Sequence, residues 1–313
     1  MTTLILRRML TIIPTLIGVV VVLFVVLRVL PSDPAAAILG DHATETALAN
    51  LRTRLGIDKP IHAQFFDYFS GLIRGDLGDS YRTGRPVVEM IAFVFPHTLL
   101  LAIASVIFAS AVGIPLGIMS SQQRGKIADH IVRVLSLFGI SVPVFYLGIL
   151  LLLLFVLRFP IFPLSGAGSL NSPLQYLMHL ALPVIALGLT QSALIMRMTR
   201  ASMLEVAELD YVRTARAKGV GRSALLWRHI FRNAMLPVVT IIGLDFGALL
   251  AGTVLTESVF NRPGIGLMLV DAIRSRDYPL TQALILLLTL MITVVNLIVD
   301  ILYSLINPRI TYQ

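Results

Sequence analysis

Leu209-Asp-Tyr-Val-Arg-Thr-Ala-Arg-Ala-Lys-Gly219, running on to Arg232-Asn-Ala-Met-Leu-Pro237, is a charged, glycine-punctuated island between long apolar stretches. Its surroundings decide the fold. Hydrophobic residues make up 57% of the chain and charged residues 13%, a balance outside that of soluble domains, so the bilayer is the expected solvent. A net charge of +8 would suit nucleic acid in a soluble protein. In a membrane chain, excess Lys and Arg reflects the bias toward cytoplasmic loops, and no nucleic-acid partner is expected. The absence of cysteine excludes disulfides, Cys-based zinc sites and thiol nucleophiles.

A span needs about 20 mainly apolar residues. Six stretches qualify, at 9–30, 98–119, 132–157, 176–196, 236–258 and 280–306. Six spans put both termini on one side. With the N-terminus inside, the short cytoplasmic segments gather Arg7, Arg8, Arg124, Lys126, Arg133, Arg197, Arg200, Arg213, Arg216, Lys218, Arg222, Arg228, Arg232 and Arg309, which favours an N-in, C-in topology. The first stretch follows Arg7 and Arg8 and lacks a small-residue cleavage site before Ser32 and Asp33, so a retained anchor is expected.

The chain divides into an N-terminal tail and first helix (1–30), an extracytoplasmic cap (31–96) and a membrane core (97–313). The cap segment carries eight acids against six bases, and it shows helical spacing over 44–55 and 61–73. Gly75-Asp-Leu-Gly78 and Thr83-Gly-Arg-Pro86 read as turns, and 160–173, rich in Gly, Pro and Ser, as an outer loop.

Within the island, the pattern predicts a helix over 205–218, a break at Gly219 and Gly221, and a second helix over 223–232 ending before Asn233. Pro237 suits the first turn of the next span, where its missing N–H is unneeded. Leu225, Leu226, Trp227, Ile230 and Phe231 form an apolar side suited to lipid headgroups or to a groove of another protein. From residue chemistry alone, a docking element and an interfacial loop that merely obeys the charge bias stand level.

The run from Asp210 to Gly219, followed by Arg232-Asn-Ala-Met-Leu-Pro237, closely resembles the coupling loop of ABC-importer permeases of the peptide and nickel branch. The general family pattern is Glu-Ala-Ala, three residues, Gly, a spacer and Leu-Pro. Here Arg213 and Thr214 replace Glu and Ala, Ala215 and Gly219 match, and the spacer to Leu236-Pro237 is longer, as is usual in the peptide branch. Further resemblances are Leu30-Pro-Ser-Asp-Pro34 (with Ser32 at a family Gly), Leu55-Gly-Ile-Asp-Lys-Pro60, Gly75-Asp-Leu-Gly78 and Val112-Gly-Ile-Pro-Leu-Gly117. Arg197-Met-Thr-Arg-Ala-Ser202, Arg276-Asp-Tyr-Pro279 and Asn307-Pro-Arg-Ile310 complete the series. Together they look most like the first of the two permease subunits in dipeptide and glutathione systems.

The resemblance implies an all-α, six-helix type I importer permease in a bacterial or archaeal cytoplasmic membrane. Its implied partners are a second permease, two ATP-binding subunits and an extracytoplasmic solute-binding protein. ATP and Mg would sit on those partner subunits, with no cofactor on this chain. The coupling loop, 203–236, would carry Asp210, Tyr211, Arg213, Thr214, Ala215, Arg216, Ala217, Lys218, Gly219, Arg232 and Asn233, with Pro237 just beyond.

Catalysis is not expected. Gly125-Lys126 is followed by Ile127 and lacks the phosphate-loop pattern. The six histidines (His42, His62, His97, His130, His179, His229) are scattered, which suits neither a metal site nor an intramembrane serine protease. Asp245 and Glu257 are candidates for lining the transport cavity, and Asp300 reads as a contact between helices. Gly243, Gly247 and Gly252 suit close helix packing, and Pro115, Pro143 and Pro183 are candidate kinks. Rival readings are the same machine with nickel chelates, glutathione, haem or oligosaccharides as cargo, and a secondary transporter, which would need paired broken helices and intramembrane ion ligands.

Overall fold

A computed structural model describes residues 2–29, 33–40, 43–169 and 171–306, and their side chains apart from 2–10, 300 and 302–306. The side chains of Arg7, Arg8 and Asp300, together with His42, Arg309, Asn307-Pro-Arg-Ile310 and the first three residues of Leu30-Pro-Ser-Asp-Pro34, lie outside the described residues. The described chain is helical, with one isolated β-bridge between Asp79 and Pro86.

Among the described residues fourteen α-helices follow in order: α1 (Thr2–Val29), α2 (Pro34–Leu39), α3 (Glu45–Leu55), α4 (Ile61–Ile73), α5 (Val87–Gln122), α6 (Ile127–Ser141), α7 (Val144–Leu152), α8 (Pro173–Ala207), α9 (Asp210–Ala217), α10 (Arg222–Ala224), α11 (Arg232–Leu244), α12 (Phe246–Val259), α13 (Ile265–Arg274) and α14 (Tyr278–Ile306). Two π-helical stretches, Leu153–Arg158 and Leu225–Phe231, extend α7 and join α10 to α11. Helices α1, α5, α8 and α14 are each long and apolar enough to span a bilayer, and two bent pairs raise the number of candidate spans to six.

The bent pairs correct two expectations. The stretch 132–157 is not one straight span, because α6 and the α7 segment meet at 99°. The cause is local: Pro143 lacks an N–H and pushes Val142 into an extended conformation (φ −87°, ψ 122°). Helices α5 and α8, by contrast, run unbroken through Pro115 and Pro183. The stretch 236–258 divides into α11 and α12, inclined at 44° about Asp245.

The chain forms two compact units. The first takes in Met1–Thr98 and Pro263–Thr293. Its helices 44–55 and 61–73 form as expected: Thr44 caps α3 by accepting from the Ala47 N–H at 3.3 Å, and Gly56 closes it at φ +68°. Asp33 caps α2 and accepts from Arg52 Nε and Nη2 at 2.9 and 2.6 Å. Burial works to raise the Asp33 pKa, but the Arg52 and Ala35 hydrogen bonds outweigh it and hold the carboxyl below its ordinary value. Asp277, 1% exposed, accepts from Ser80 Oγ (2.5 Å) and from the N–H groups of Tyr81 (3.1 Å) and Leu280 (3.4 Å), tying the 79–86 turn to the start of α14. Behind this tie, Val87 and Val94 pack with Ile265, Leu269, Leu280 and Leu284.

The second unit takes in Leu99–Arg262 and Val294–Gln313, and α8 is its axis. More than half of the apolar window of α8 (56%) is buried, against 11% for α1. Helices α6, α7, α11 and α12 all pack on it. On α5, Gly113 and Gly117 abut α8 so closely that a Cβ would lie 2.8 Å from Ile195 Cβ and 2.6 Å from Thr199 Cβ, respectively. This small-xxx-small contact lets two backbones approach in a medium that supplies no hydrophobic drive between helices. Gly243 and Gly252 serve the packing role expected of them, against Val299 and Leu187.

Gly117→Leu is expected to cost about 1–3 kcal/mol by overpacking and to lower the thermal midpoint of the purified protein. Gly18→Ala, where the added methyl meets nothing within 4 Å, is the matched control and should leave the midpoint unchanged.

Candidate functional site

The island occupies the end of α8, the whole of α9, the turn at Gly219 and the run from α10 into α11. One continuous helix over 205–218 does not form. Helix α8 ends at Ala207, Leu209 is extended (φ −67°, ψ 146°), and α9 starts at Asp210. Packing accounts for the break. Val206 and Val212 both enter the cluster of Ile118, Met203, Leu225, Ile230 and Ala234. In an unbroken helix, six residues at about 100° each would turn those two valines well over a right angle apart; the extended Leu209 resets the phase.

The far end of α9 closes as a Schellman motif. Gly219 N–H donates to Arg216 O (3.0 Å), Val220 N–H donates to Ala215 O (3.2 Å), and Gly219 sits at φ +81°. A side chain here would meet no neighbour, so the glycine is required by its backbone angle alone. Beyond the turn the chain rises without interruption through the π-helical Leu225–Phe231 into α11. The expected stop before Asn233 is therefore absent. Pro237 lies inside α11 and not in its first turn. Interior proline is tolerated in membrane helices because neighbouring groups re-satisfy the freed carbonyl.

The element has two sides. Val212 (0% exposed) and Ala215 (9%) point into the core. Asp210, Tyr211, Arg213, Thr214, Arg216, Ala217 and Lys218 face out, as do Arg232 and Asn233. Tyr211 Oη donates to His229 O at 2.9 Å, and Asn233 Nδ2 donates to Tyr211 Oη (2.7 Å) and His229 O (3.0 Å). These bonds fasten α9 to the π-helical turn. Of the apolar set, Leu225 and Ile230 are buried, while Trp227 stays 52% exposed, edge-on to Phe231 at 5.0 Å between ring centres. An exposed indole beside a row of cations is a surface suited to a protein partner.

A second feature escaped the sequence reading. Asp129, 1% exposed at the start of α6, accepts from Arg200 Nε (2.7 Å) and Nη2 (3.0 Å) on α8, from Ser120 Oγ (2.6 Å) on α5 and from the Gly125 N–H (2.9 Å). One carboxylate thus joins three helices. Two positions further along α8, Ser202 Oγ donates to Ala234 O (2.8 Å), tying α8 to α11. Asp129 stands in a short charged run, and no local spacing marks it as a buried anchor.

The two intramembrane acids part company. Asp245 is half-buried at the α11–α12 bend, where Gln191 Nε2 donates to its carboxylate. Glu257 is fully buried, and its backbone carbonyl accepts from the Arg262 N–H at 2.9 Å. Arg262 is itself fully buried and donates Nη2 to Tyr176 Oη at 2.9 Å. Burial pushes the guanidinium pKa down; Tyr176 and Glu257 pull it back up.

The arrangement is that of a chain rich in candidate membrane spans presenting a stiff basic element. The family model described as "Binding-protein-dependent transport system inner membrane component" matches residues 113–312, and that for the family's N-terminal part matches 1–102. The chain belongs to this family. It is 42% identical to the dipeptide transport system permease protein DppB of Escherichia coli, over 99% of this chain and 98% of that protein. It is 43% identical to the glutathione transport system permease protein GsiC of Salmonella choleraesuis, over 99% of each. Among solved structures, the inward-facing MetNI methionine ABC transporter matches with a TM-score of 0.58 at 15% identity, covering 70% of this chain and 97% of that one. An amino acid ABC transporter matches with a TM-score of 0.52 at 18% identity, covering 71% and 95%. These structures share the fold.

Asp129→Ala is expected to destabilise the protein by about 3–5 kcal/mol, since it leaves the Arg200 charge without its partner. The double variant Asp129→Ala/Arg200→Met should recover part of the loss in the same thermal unfolding assay. A double variant as unstable as the single one would contradict the pairing.

Proposed function

We propose that this chain is the first permease subunit of an ATP-driven importer for di- and oligopeptides, spanning the cytoplasmic membrane six times with both termini inside. Residues 31–96 then lie on the extracytoplasmic side, where a solute-binding protein delivers cargo. The translocation path forms with a second, homologous permease, and two ATP-binding subunits lie beneath. The chain itself performs no catalysis and holds no cofactor. Identity at this level to dipeptide and glutathione permeases supports short peptides as the cargo class.

The observation that carries the coupling role is the two-sidedness of α9. Its inner face is locked to α5, α8 and the π-helical turn through Val212 and Ala215, while Arg213, Arg216 and Lys218 remain exposed. A partner that grips the outer face moves α8 with it, because the packed underside leaves little slack. Asp210, Tyr211, Thr214, Ala217, Gly219, Arg232, Asn233 and Pro237 shape or border that face. Asp245, half-exposed at the α11–α12 bend, is the better candidate for the cavity wall; Glu257, enclosed within the chain, would need a rearrangement to meet cargo.

Reconstitution in proteoliposomes tests the proposal. ATP-dependent uptake of a labelled dipeptide should require both permeases, the ATPase subunits and the binding protein. Uptake by this chain alone, driven by an ion gradient, would establish a secondary transporter in its place. Glutathione outcompeting every dipeptide would move the cargo to that tripeptide.

Gly219→Pro cannot adopt φ +81° and loses the bond to Arg216 O. It should reduce substrate-stimulated ATPase activity of the assembled complex at least tenfold, with membrane insertion intact. Arg216→Glu should act in the same direction, and unchanged coupling in both variants would remove the docking role.

A further inference from the structure

The first unit contains a cavity of about 700 Å³ between the outer end of α1, the cap helices α3 and α4, the 76–84 turn and the start of α14. That volume lies within the range of small-molecule sites, about 300–1,000 Å³. Its wall is built of hydrogen-bond donors. Arg28 is held rigidly, with Nε donating to Gln64 Oε1 at 2.8 Å and its guanidinium carbon 3.7 Å from the centre of the Phe24 ring. Its Nη1 is buried and has no partner among the described residues.

Two further wall groups share that condition. Gln282, 2% exposed, leaves Nε2 unpartnered, and Tyr68 leaves its hydroxyl so. Burial pushes the Tyr68 phenol pKa up, so it keeps its proton and remains a donor. Buried donors are nearly always satisfied in folded proteins, and three unsatisfied ones among the residues that line one cavity mark a ligand position. Three carboxylates, Asp67, Asp76 and Asp79, stand on the wall beside four cations. Lys59 Nζ holds Asp67 at 2.7 Å and the Gly78 N–H holds Asp76 at 2.8 Å, and with Arg54 and Arg82 the wall carries more cations than acids.

We propose that this cavity binds the C-terminal carboxylate of a short peptide, with Arg28 and Gln282 as its donors. A guanidinium with a free N–H and an amide lining the same cavity suit a carboxylate, and the anion supplies the acceptors that these donors lack. The inference rests on the peptide-import reading. It adds a cargo subsite in the cap.

Equilibrium dialysis tests it on the assembled permease and ATPase complex in nanodiscs without the solute-binding protein, using radiolabelled trialanine and trialanine amide. Trialanine should bind, and the amide should bind at least tenfold more weakly, as should trialanine to Gln282→Leu, a loss in keeping with a hydrogen bond to a charged group. Arg28→Met should weaken binding further. Gln282→Leu replaces an unpaired buried amide by an alkyl group, so its melting temperature should not fall, and its binding result stands even if Arg28→Met fails to fold. Absence of trialanine binding, equal affinity for the amide, or unchanged affinity in Gln282→Leu would each overturn the subsite. Uptake in proteoliposomes separates the two claims. Normal ATP-driven tripeptide uptake with any of those dialysis results removes the subsite alone, whereas wild-type complex that imports no peptide removes the functional reading beneath it.

Discussion

The contact on which the second unit depends is the near-touch of two backbones, α5 at Gly113 and Gly117 against α8 at Ile195 and Thr199. Lipid is as apolar as leucine, so helices in a bilayer gain nothing by hiding oily surface from it. They associate through packing, which improves steeply as backbones draw together. Once α8 is fixed against α5, it becomes the post on which α6, α7, α11 and α12 are hung. It supplies residues to four separate clusters, from Tyr176 and Leu180 at one end to Met203 and Val206 at the other. A larger side chain at either glycine would disturb all of these contacts together.

Polar groups then do what apolar packing cannot, which is to fix one arrangement among many of similar energy. Asp129 holds α5, α6 and α8 in one hydrogen-bonded knot, and Asp277 ties the 79–86 turn to the start of α14. Both carboxylates are almost fully buried and surrounded by donors. An ion pair in such a place adds little net stability, because desolvation offsets most of the attraction. Its donors nevertheless have defined directions, so a misaligned helix leaves a charge unmet.

The same economy of contacts explains why the exposed element is suited to transmitting force. Helix α9 is short and would be marginal alone. It is held by two buried residues beneath, a Schellman closure at one end and the Tyr211–Asn233–His229 bonds at the side. The outer face carries Arg213, 3.6 Å from Asp210, and the exposed Arg216 and Lys218. A rigid underside with an unspent surface is what a subunit needs if it is to receive motion from a partner.

Much of this was legible in the chain itself. Long apolar runs located α1, α5, α8 and α14, helical spacing over 44–55 located α3, and Gly219 marked the break after α9, because each of these is governed by local chemistry or by the cost of exposing backbone to lipid. The break at Leu209, the continuous passage of α10 into α11 with Pro237 inside it, and the roles of Asp129 and Gln282 could not be read in the same way. Each depends on which distant residues arrive alongside: Val206 and Val212 must share one cluster, Arg200 lies 71 residues from Asp129, and Gln282 lines the same cavity as Arg28. The sequence set the helices and their polarity through interactions a few residues in range; helix phase, bends and buried partners were decided by packing between segments far apart in the chain.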